Sequence, residues 1–339
     1  MTKRKATTLE EVAAVAGVSR ATVSRVVNNT PTVDPALREV VMRAIRQTGY
    51  VPNRAARSLV TRRTDSIGLV ASEAERRVFT DPFFGTMVRG VMDVVRKRGV
   101  QLVLLLAEDE PARQQLLGYL HAGHLDGVIM ISTHVGDSLP RVLTDQGLPA
   151  VLSARPTENI PISYVDTDSR GGAAMAVDHL VTVCGREVIA TVSGPLDMPA
   201  GQDRLAGYHD GLRRHRLPVR RKLIEEGNFD RESGERGMAA LLERRPDIDG
   251  VFVASDLMAQ GALTALRRAG RRVPDDVAVV GFDDSEVARE TDPPLTTIRQ
   301  PLEDMARMMA TILLDRINDP ELPVVQEITP TELVRRASA

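Results

Sequence analysis

Apolar positions near the amino terminus recur at helical spacing in two short bursts. Leu9, Val12, Ala13 and Ala16 share one face of the first, and Val23, Val26 and Val27 share one face of the second. Gly17 separates them, and a residue without a Cβ takes the positive φ of a tight turn without strain. Thr8 sits at an N-cap position with Glu11 three residues on, the reciprocal pattern of a capping box, and Ser19 caps the second helix. The other face of that helix is polar: Arg20, Thr22, Ser24, Arg25 and Asn28 all carry hydrogen-bonding groups. Two of them are guanidinium forks suited to guanine edges or phosphates. The pattern predicts a helix-turn-helix, whose second helix lies in the major groove of DNA.

The next pattern is shorter. Asn53 can cap a helix through Val60, with Ala55, Ala56 and Leu59 on one side and Arg54 and Arg57 nearby, followed by the basic connector Thr61 to Thr64. Helices below about 12 to 15 residues are marginal alone in water, so this one is expected to fold only against a partner. If two copies meet on DNA, Ala56 permits close approach, Leu59 can wedge between minor-groove base steps, and Asn53 and Arg54 can hold backbone or base edges.

From Asp65 onward, β-branched runs alternate with amphipathic helices. The strands expected are 67–72, 101–107, 126–132, 150–153, 188–193, 223–226, 250–254 and 277–282, nearly continuous in apolar character. Intervening helices imply parallel sheets covered on both faces, and eight units exceed one comfortable sheet. The expected architecture is therefore a small all-α head on an α/β body of two doubly wound parallel-sheet subdomains. Residues 1–50 form the head, 51–64 the hinge helix and linker, and 65–339 the body. With crossings near Tyr164, Pro293-Pro294 and Pro323, the first lobe spans about 65–164 and 294–322, and the second about 165–293 and 323–339.

Ligands in such sheets bind beyond the carboxyl ends of the strands, where two lobes share a cleft. The residues expected there are Ser72, Phe83 and Phe84 in the segment Asp81-Pro82-Phe83-Phe84, Arg155, Arg204, Asp256 and Asp283 beside Asp284. An arginine with several carboxylates and aromatic rings can read hydroxyl groups and cover a sugar or base face. Each acid singly is equally suited to cap a helix.

Charge reinforces the division. Residues 1–63 hold 12 Lys and Arg against 4 Asp and Glu, leaving 32 basic and 42 acidic residues in the remainder. A basic head suits a polyanion, because each cation placed on a phosphate releases condensed counterions. The single cysteine, Cys184, excludes an internal disulfide and a thiolate metal cluster and is consistent with a reducing cytoplasm. The polar start MTKRKATT suggests neither a signal peptide nor a membrane span. The phosphate-loop and nucleophile-elbow motifs are missing, and His121 and His124 read as the polar end of a helix instead of metal ligands. No metal, cofactor or catalytic group is expected.

Six stretches carry a family resemblance: LEEVAAVAGVSRATVSRVVN at 9–28, YVPNRAARSL at 50–59, DRLAGY at 203–208, ASDLMAQGALTAL at 254–266, VAVVGFDD at 277–284 and PPLTTIRQP at 293–301. The chain resembles the lac repressor family (LacI/GalR) of bacterial transcription regulators nearly end to end. That resemblance implies a helix-turn-helix and hinge helix joined to a body shaped like periplasmic sugar receptors, acting as a homodimer on near-palindromic double-stranded operator DNA. It puts Arg20 and Ala21 at the first recognition-helix positions, with Arg25 facing the groove. Ser19, Thr22, Ser24 and Asn28 would fix the backbone, and Leu59 would be the paired wedge. Arg204 and Asp283 match positions that hold effector hydroxyls, and Phe229 matches an aromatic cleft position. Ser255-Asp256 stands where some relatives have Asn-Asp, so one amide is missing. A sugar effector is favoured and a nucleoside or purine is the rival. Glu332 to Arg336 resembles the last strand, and with the sequence stopping at Ala339 no tetramerising heptad tail is expected, which favours a dimer.

Overall fold

The computed structural model describes residues 7–27, 32–50 and 63–339, which fall into two units divided at Thr64/Asp65. In the head, α1 (Leu9–Ala16), α2 (Arg20–Val27) and α3 (Pro35–Thr48) enclose a small core of Val12, Val23, Val26, Val41 and Ala44. Both halves of the capping box form: the Glu11 N–H donates to Thr8 Oγ1 at 3.3 Å, and the Thr8 N–H to Glu11 Oε2 at 2.8 Å. Gly17 ends α1 at φ 66°, and Asp34 caps α3 through the amides of Ala36 and Leu37.

The body begins with β1 (Ser66–Ala71), α4 (Glu75–Thr80), α5 (Pro82–Arg98), β2 (Gln101–Leu106), α6 (Glu110–His121), β3 (Gly127–Ile131), α7 (Leu139–Asp145), β4 (Ala150–Leu152) and β5 (Ser163–Thr167). It continues with α8 (Ser169–Thr182), β6 (Ile189–Ser193), α9 (Pro199–Arg214), β7 (Ile224–Glu226), α10 (Arg231–Arg244), β8 (Gly250–Val253), α11 (Asp256–Arg268) and β9 (Ala278–Asp283). Last come α12 (Glu286–Glu290), β10 (Thr296–Arg299), α13 (Leu302–Asn318), β11 (Gln326–Thr329) and β12 (Glu332–Val334). The strands form two six-stranded sheets, ordered β11-β5-β4-β3-β1-β2 and β12-β10-β9-β8-β6-β7. Among the described residues, all pairings are parallel except β10 with β12.

The two-residue period of a strand assigns each sheet two cores. Ile67, Leu69 and Ala71 pack with Val91 of α5 and Met309 of α13, while Val70 points the other way to Leu116 and Leu120 of α6. In the second sheet Val251 and Val253 join Met238 and Leu266, and Phe252 joins Val177 and Tyr208 on the opposite face. Among the described residues no helix is long and apolar enough to cross a membrane.

The lobe boundaries differ from the sequence expectation. Thr296–Arg299 belongs to the second sheet and Gln326–Thr329 to the first, so the chain crosses after Thr167, after Arg299 and after Thr329. Prolines 293, 294 and 323 mark turns inside the lobes and not the crossings. The strands next to the crossings, SYVDT, TTIR and QEIT, are rich in polar residues and carry a weaker strand pattern than the core strands.

Candidate DNA-reading helix and ligand cavity

On the head, Arg20, Ala21 and Arg25 lie exposed along α2, while Thr22 and Ser24 are half-buried. Ser19 Oγ accepts the Thr22 amide at 3.2 Å and lies 2.9 Å from Thr22 Oγ1, so both hydroxyls brace the start of the helix. Arg20 Nε rests 3.0 Å from Glu10 of α1. Asn28, Asn53, Arg54, Ala56 and Leu59 lie outside the described residues.

In the body, a cavity opens between the lobes. Strand ends supply Ser132, Ser153, Asp166, Ser255 and Asp283; helix starts supply Asp81, Phe83 and Arg204; Phe229 and Gln300 come from loops. Backbone strain gathers here. Ser132, Phe229, Asp283 and the adjoining Asp284 have φ of 59°, 56°, 119° and 56°, the left-handed region that side chains other than glycine seldom adopt. Phe229 reaches the cavity because residue 194 is glycine: a Cβ there would fall 2.2 Å from the Phe229 ring.

Arg204 organises the inner wall. Its buried guanidinium donates to the Ala254 carbonyl at 2.5 Å, lies 3.9 Å over the Phe282 ring and 5.4 Å from the Phe229 centroid, and stands 3.5 Å from Asp283. Its Nε is buried with no hydrogen-bond partner. Burial draws the guanidinium below its ordinary range, against the pull of Asp283, Asp256, Asp81 and Asp166. Burial likewise raises Asp81 and Asp166, and it pushes Asp283 up to about 7 even though Arg204 and a 2.6 Å bond from Gln300 Nε2 favour its ionised form. The cavity therefore offers carboxyl groups, the guanidinium groups of Arg204 and of Arg77, the latter paired with Glu73, and an aromatic face, a set suited to a neutral polyhydroxyl ligand.

Four expected contacts fall elsewhere. Ser72 donates to Asp137 at 3.0 Å in a neighbouring recess, and Phe84 turns into the first-lobe core, edge-on to Phe83 with centroids 5.1 Å apart. Arg155 stands behind the wall, paired with Asp203 and Asp166. Asp256 is buried beneath Asp283, accepting from Thr297 Oγ1 at 2.6 Å and from the Ser285 amide at 2.8 Å; burial and then the Asp283 charge hold its carboxyl well above the usual range. Ser255 caps α11 in its place. Sequence reasoning overlooked Asp166 and Gln300 as cavity residues. Asp166 lies in β5 and Gln300 directly follows β10, two strands whose polar sequences carry a weak strand pattern, although Gln300 lies in the quoted PPLTTIRQP stretch. His121 bonds the Leu117 carbonyl and Gln146, and His124 stacks against Tyr119.

The model described as "Bacterial regulatory proteins, lacI family" matches residues 8–53, and that described as "Periplasmic binding protein-like domain" matches 177–339. The HTH-type transcriptional regulator CelR of Thermobifida fusca is 47% identical over 341 residues, covering 100% of both chains. A solved CelR–cellobiose complex superposes with a TM-score of 0.79 at 45% identity, over 98% of this chain and 100% of that one. The lac repressor dimer bound to operator and the anti-inducer ONPF gives a TM-score of 0.85 at 30% identity, over 98% and 99%.

Proposed function

Because the chain belongs to the lacI family of bacterial regulatory proteins, ligand-responsive regulators that bind DNA as dimers, we propose that it is a repressor of carbohydrate genes and that its effector is a neutral glucose disaccharide of the cellobiose type. The observation that carries the effector reading is the cavity wall itself: Arg204 flanked by Asp283 and by the Phe229 ring. Hydroxyls can donate to the carboxylates and accept from the guanidinium, and a pyranose face can lie on the ring. The other cavity arginine, Arg77, is engaged by Glu73 at 2.8 Å, so the lining offers little to balance a phosphate. The similarity to CelR, solved with cellobiose, supports the same ligand class.

In the head, Arg20 and Arg25 read bases, Ala21 offers no side-chain hydrogen bond, and Ser19, Thr22 and Ser24 position the backbone. Asn53, Arg54, Ala56 and Leu59 make the minor-groove contacts, and the effector changes operator affinity through the paired bodies, in the cytoplasm where the DNA lies. The cavity binds without turnover, which recovery of unchanged cellobiose after incubation checks.

Calorimetric titration with cellobiose, ribose and hypoxanthine, joined to mobility shifts on DNA upstream of the gene, tests this reading. Cellobiose alone should bind and change the shift. A response to hypoxanthine would replace the sugar with a nucleobase, and no specific complex on any fragment would overturn the regulator's predicted operator.

A further inference from the structure

On the rim where the lobes meet, His134 joins carboxylates contributed from opposite sides. His134 follows β3 and Glu73 follows β1 in the first lobe, whereas Asp197 lies between β6 and α9 in the second. His134 Nδ1 is 2.8 Å from Asp197 Oδ2, and Nε2 is 3.2 Å from Glu73 Oε1. A neutral imidazole has one N–H and one lone pair, so two carboxylate contacts call for the doubly protonated ring. The Val135 amide adds a second link across the seam, donating to the Asp197 carbonyl at 2.6 Å. Glu73 is buried and also accepts from Ser132 Oγ at 2.5 Å and Arg77 Nη1 at 2.8 Å. Ser132 and Arg77 both line the ligand cavity, and Arg77 sits 5.3 Å from the Phe229 centroid, but His134 itself does not line it.

We propose that Glu73, His134 and Asp197 form an interlobe latch, with His134 a positioning residue that raises effector affinity by holding the lobes closed without touching the effector. The affinity part rests on the proposed sugar response; the latch itself does not. Its charge state fits the role. The hydrogen bond to Glu73, against burial and with the bond to Asp197, pushes His134 up to about 9. Glu73 is held below its ordinary value: burial raises it, but His134, Arg77 and Ser132 together outweigh the burial. The charged groups around the ring are Glu73 and Arg77 from the first lobe and Asp197 from the second, with Glu108, Arg113 and Asp137 lining the same recess. A raised folded-state pKa means that the latch is fully charged at pH 7 and is lost as pH rises through about 9.

Hydrogen exchange on the full-length, sugar-free protein tests the latch from one lobe to the other. Asp197→Asn keeps the carbonyl that Val135 uses, so amides 134–136 should exchange faster only if the lobes part more often. An increase of about tenfold is expected, in the range of typical couplings of 5-fold to 150-fold. Unchanged exchange at 134–136 overturns the latch. With cellobiose as the probe, His134→Ala should bind about tenfold more weakly on the same grounds, and His134→Arg should recover part of the loss. The wild-type affinity should also fall between pH 8 and pH 10 while that of His134→Ala stays flat. Equal affinities for wild type and His134→Ala overturn the positioning role. If wild type does not bind cellobiose, the effector reading fails, and the sugar-free exchange still decides the latch.

Discussion

The Asp283 carboxylate stands 3.5 Å from the Arg204 guanidinium at the inner wall of the interlobe cavity, and neither group satisfies the other fully. Arg204 keeps an unpartnered Nε, and Asp283 takes its shorter bond, 2.6 Å, from Gln300. Both residues belong to the second lobe, fixed by α9 and β9. Both side chains are held in place before a ligand arrives, which is how a preformed site limits the ordering cost of binding.

Arg204→Ala should therefore remove the response to effector while sparing operator binding. Truncating one member of a buried charged pair costs about 2–5 kcal/mol of binding, much of it from the partner left uncompensated. Cellobiose calorimetry and a mobility shift on the same preparation check the two halves. Loss of operator binding together with effector binding would mean that Arg204 serves the fold.

Asp283 gives the cavity a pH dependence near neutrality. Burial raises its folded-state pKa from 3.8 to about 7, so the folded body binds more protons than the unfolded chain and loses stability as pH rises between those values. Asp283→Asn should shrink the fall in Tm between pH 5 and pH 8. A sugar hydroxyl donating to the ionised carboxylate lowers that pKa again, so cellobiose binding at pH 7 should release protons. Calorimetry in buffers of different ionisation enthalpy measures that release, and Asp283→Asn should abolish it.

The sequence patterns that were legible were the local ones. The capping box at Thr8 and Glu11, the turn at Gly17 and the apolar strands that fill the centres of both sheets depend on neighbours a few residues away. What escaped notice depends on distant partners. Whether Asp256 or Asp283 faces the cavity turns on Thr297 and Ser285, which bond Asp256 beneath the wall. Phe83 and Phe84 are adjacent in sequence, yet the start of α5 gives one to the cavity and the other to the core. The latch was invisible for the same reason, because His134 and Asp197 are 63 residues apart.

Gly194 offers a test of the ring platform. An added methyl would lie 2.2 Å from Phe229 Cζ, and the Phe229 backbone is already held at φ 56°, so the ring must swing away from the glycine. Gly194→Ala should weaken cellobiose binding by about 1–3 kcal/mol, the usual range for overpacking a filled site. A structure of the variant should show the ring displaced. Undiminished affinity would mean that the ring is not a platform for the ligand.

On the head, Arg20 is tied to Glu10 at 3.0 Å, with both side chains more than half exposed. Exposed pairs of this kind contribute little, about 0–1 kcal/mol, so Arg20 can leave Glu10 for DNA at small cost. The two residues should then separate cleanly by mutation. Glu10→Ala should leave the Tm nearly unchanged and tighten binding to any duplex, because it removes a negative charge beside the phosphates. Arg20→Ala should lose about 1–3 kcal/mol of discrimination at one operator base pair, the worth of a good bidentate contact. Mobility shifts on operators altered one base pair at a time, repeated at two salt concentrations, distinguish these outcomes. A uniform loss across all operators in Arg20→Ala, with a shallower salt slope, would instead make Arg20 a phosphate contact and leave Arg25 as the base-reading arginine of α2.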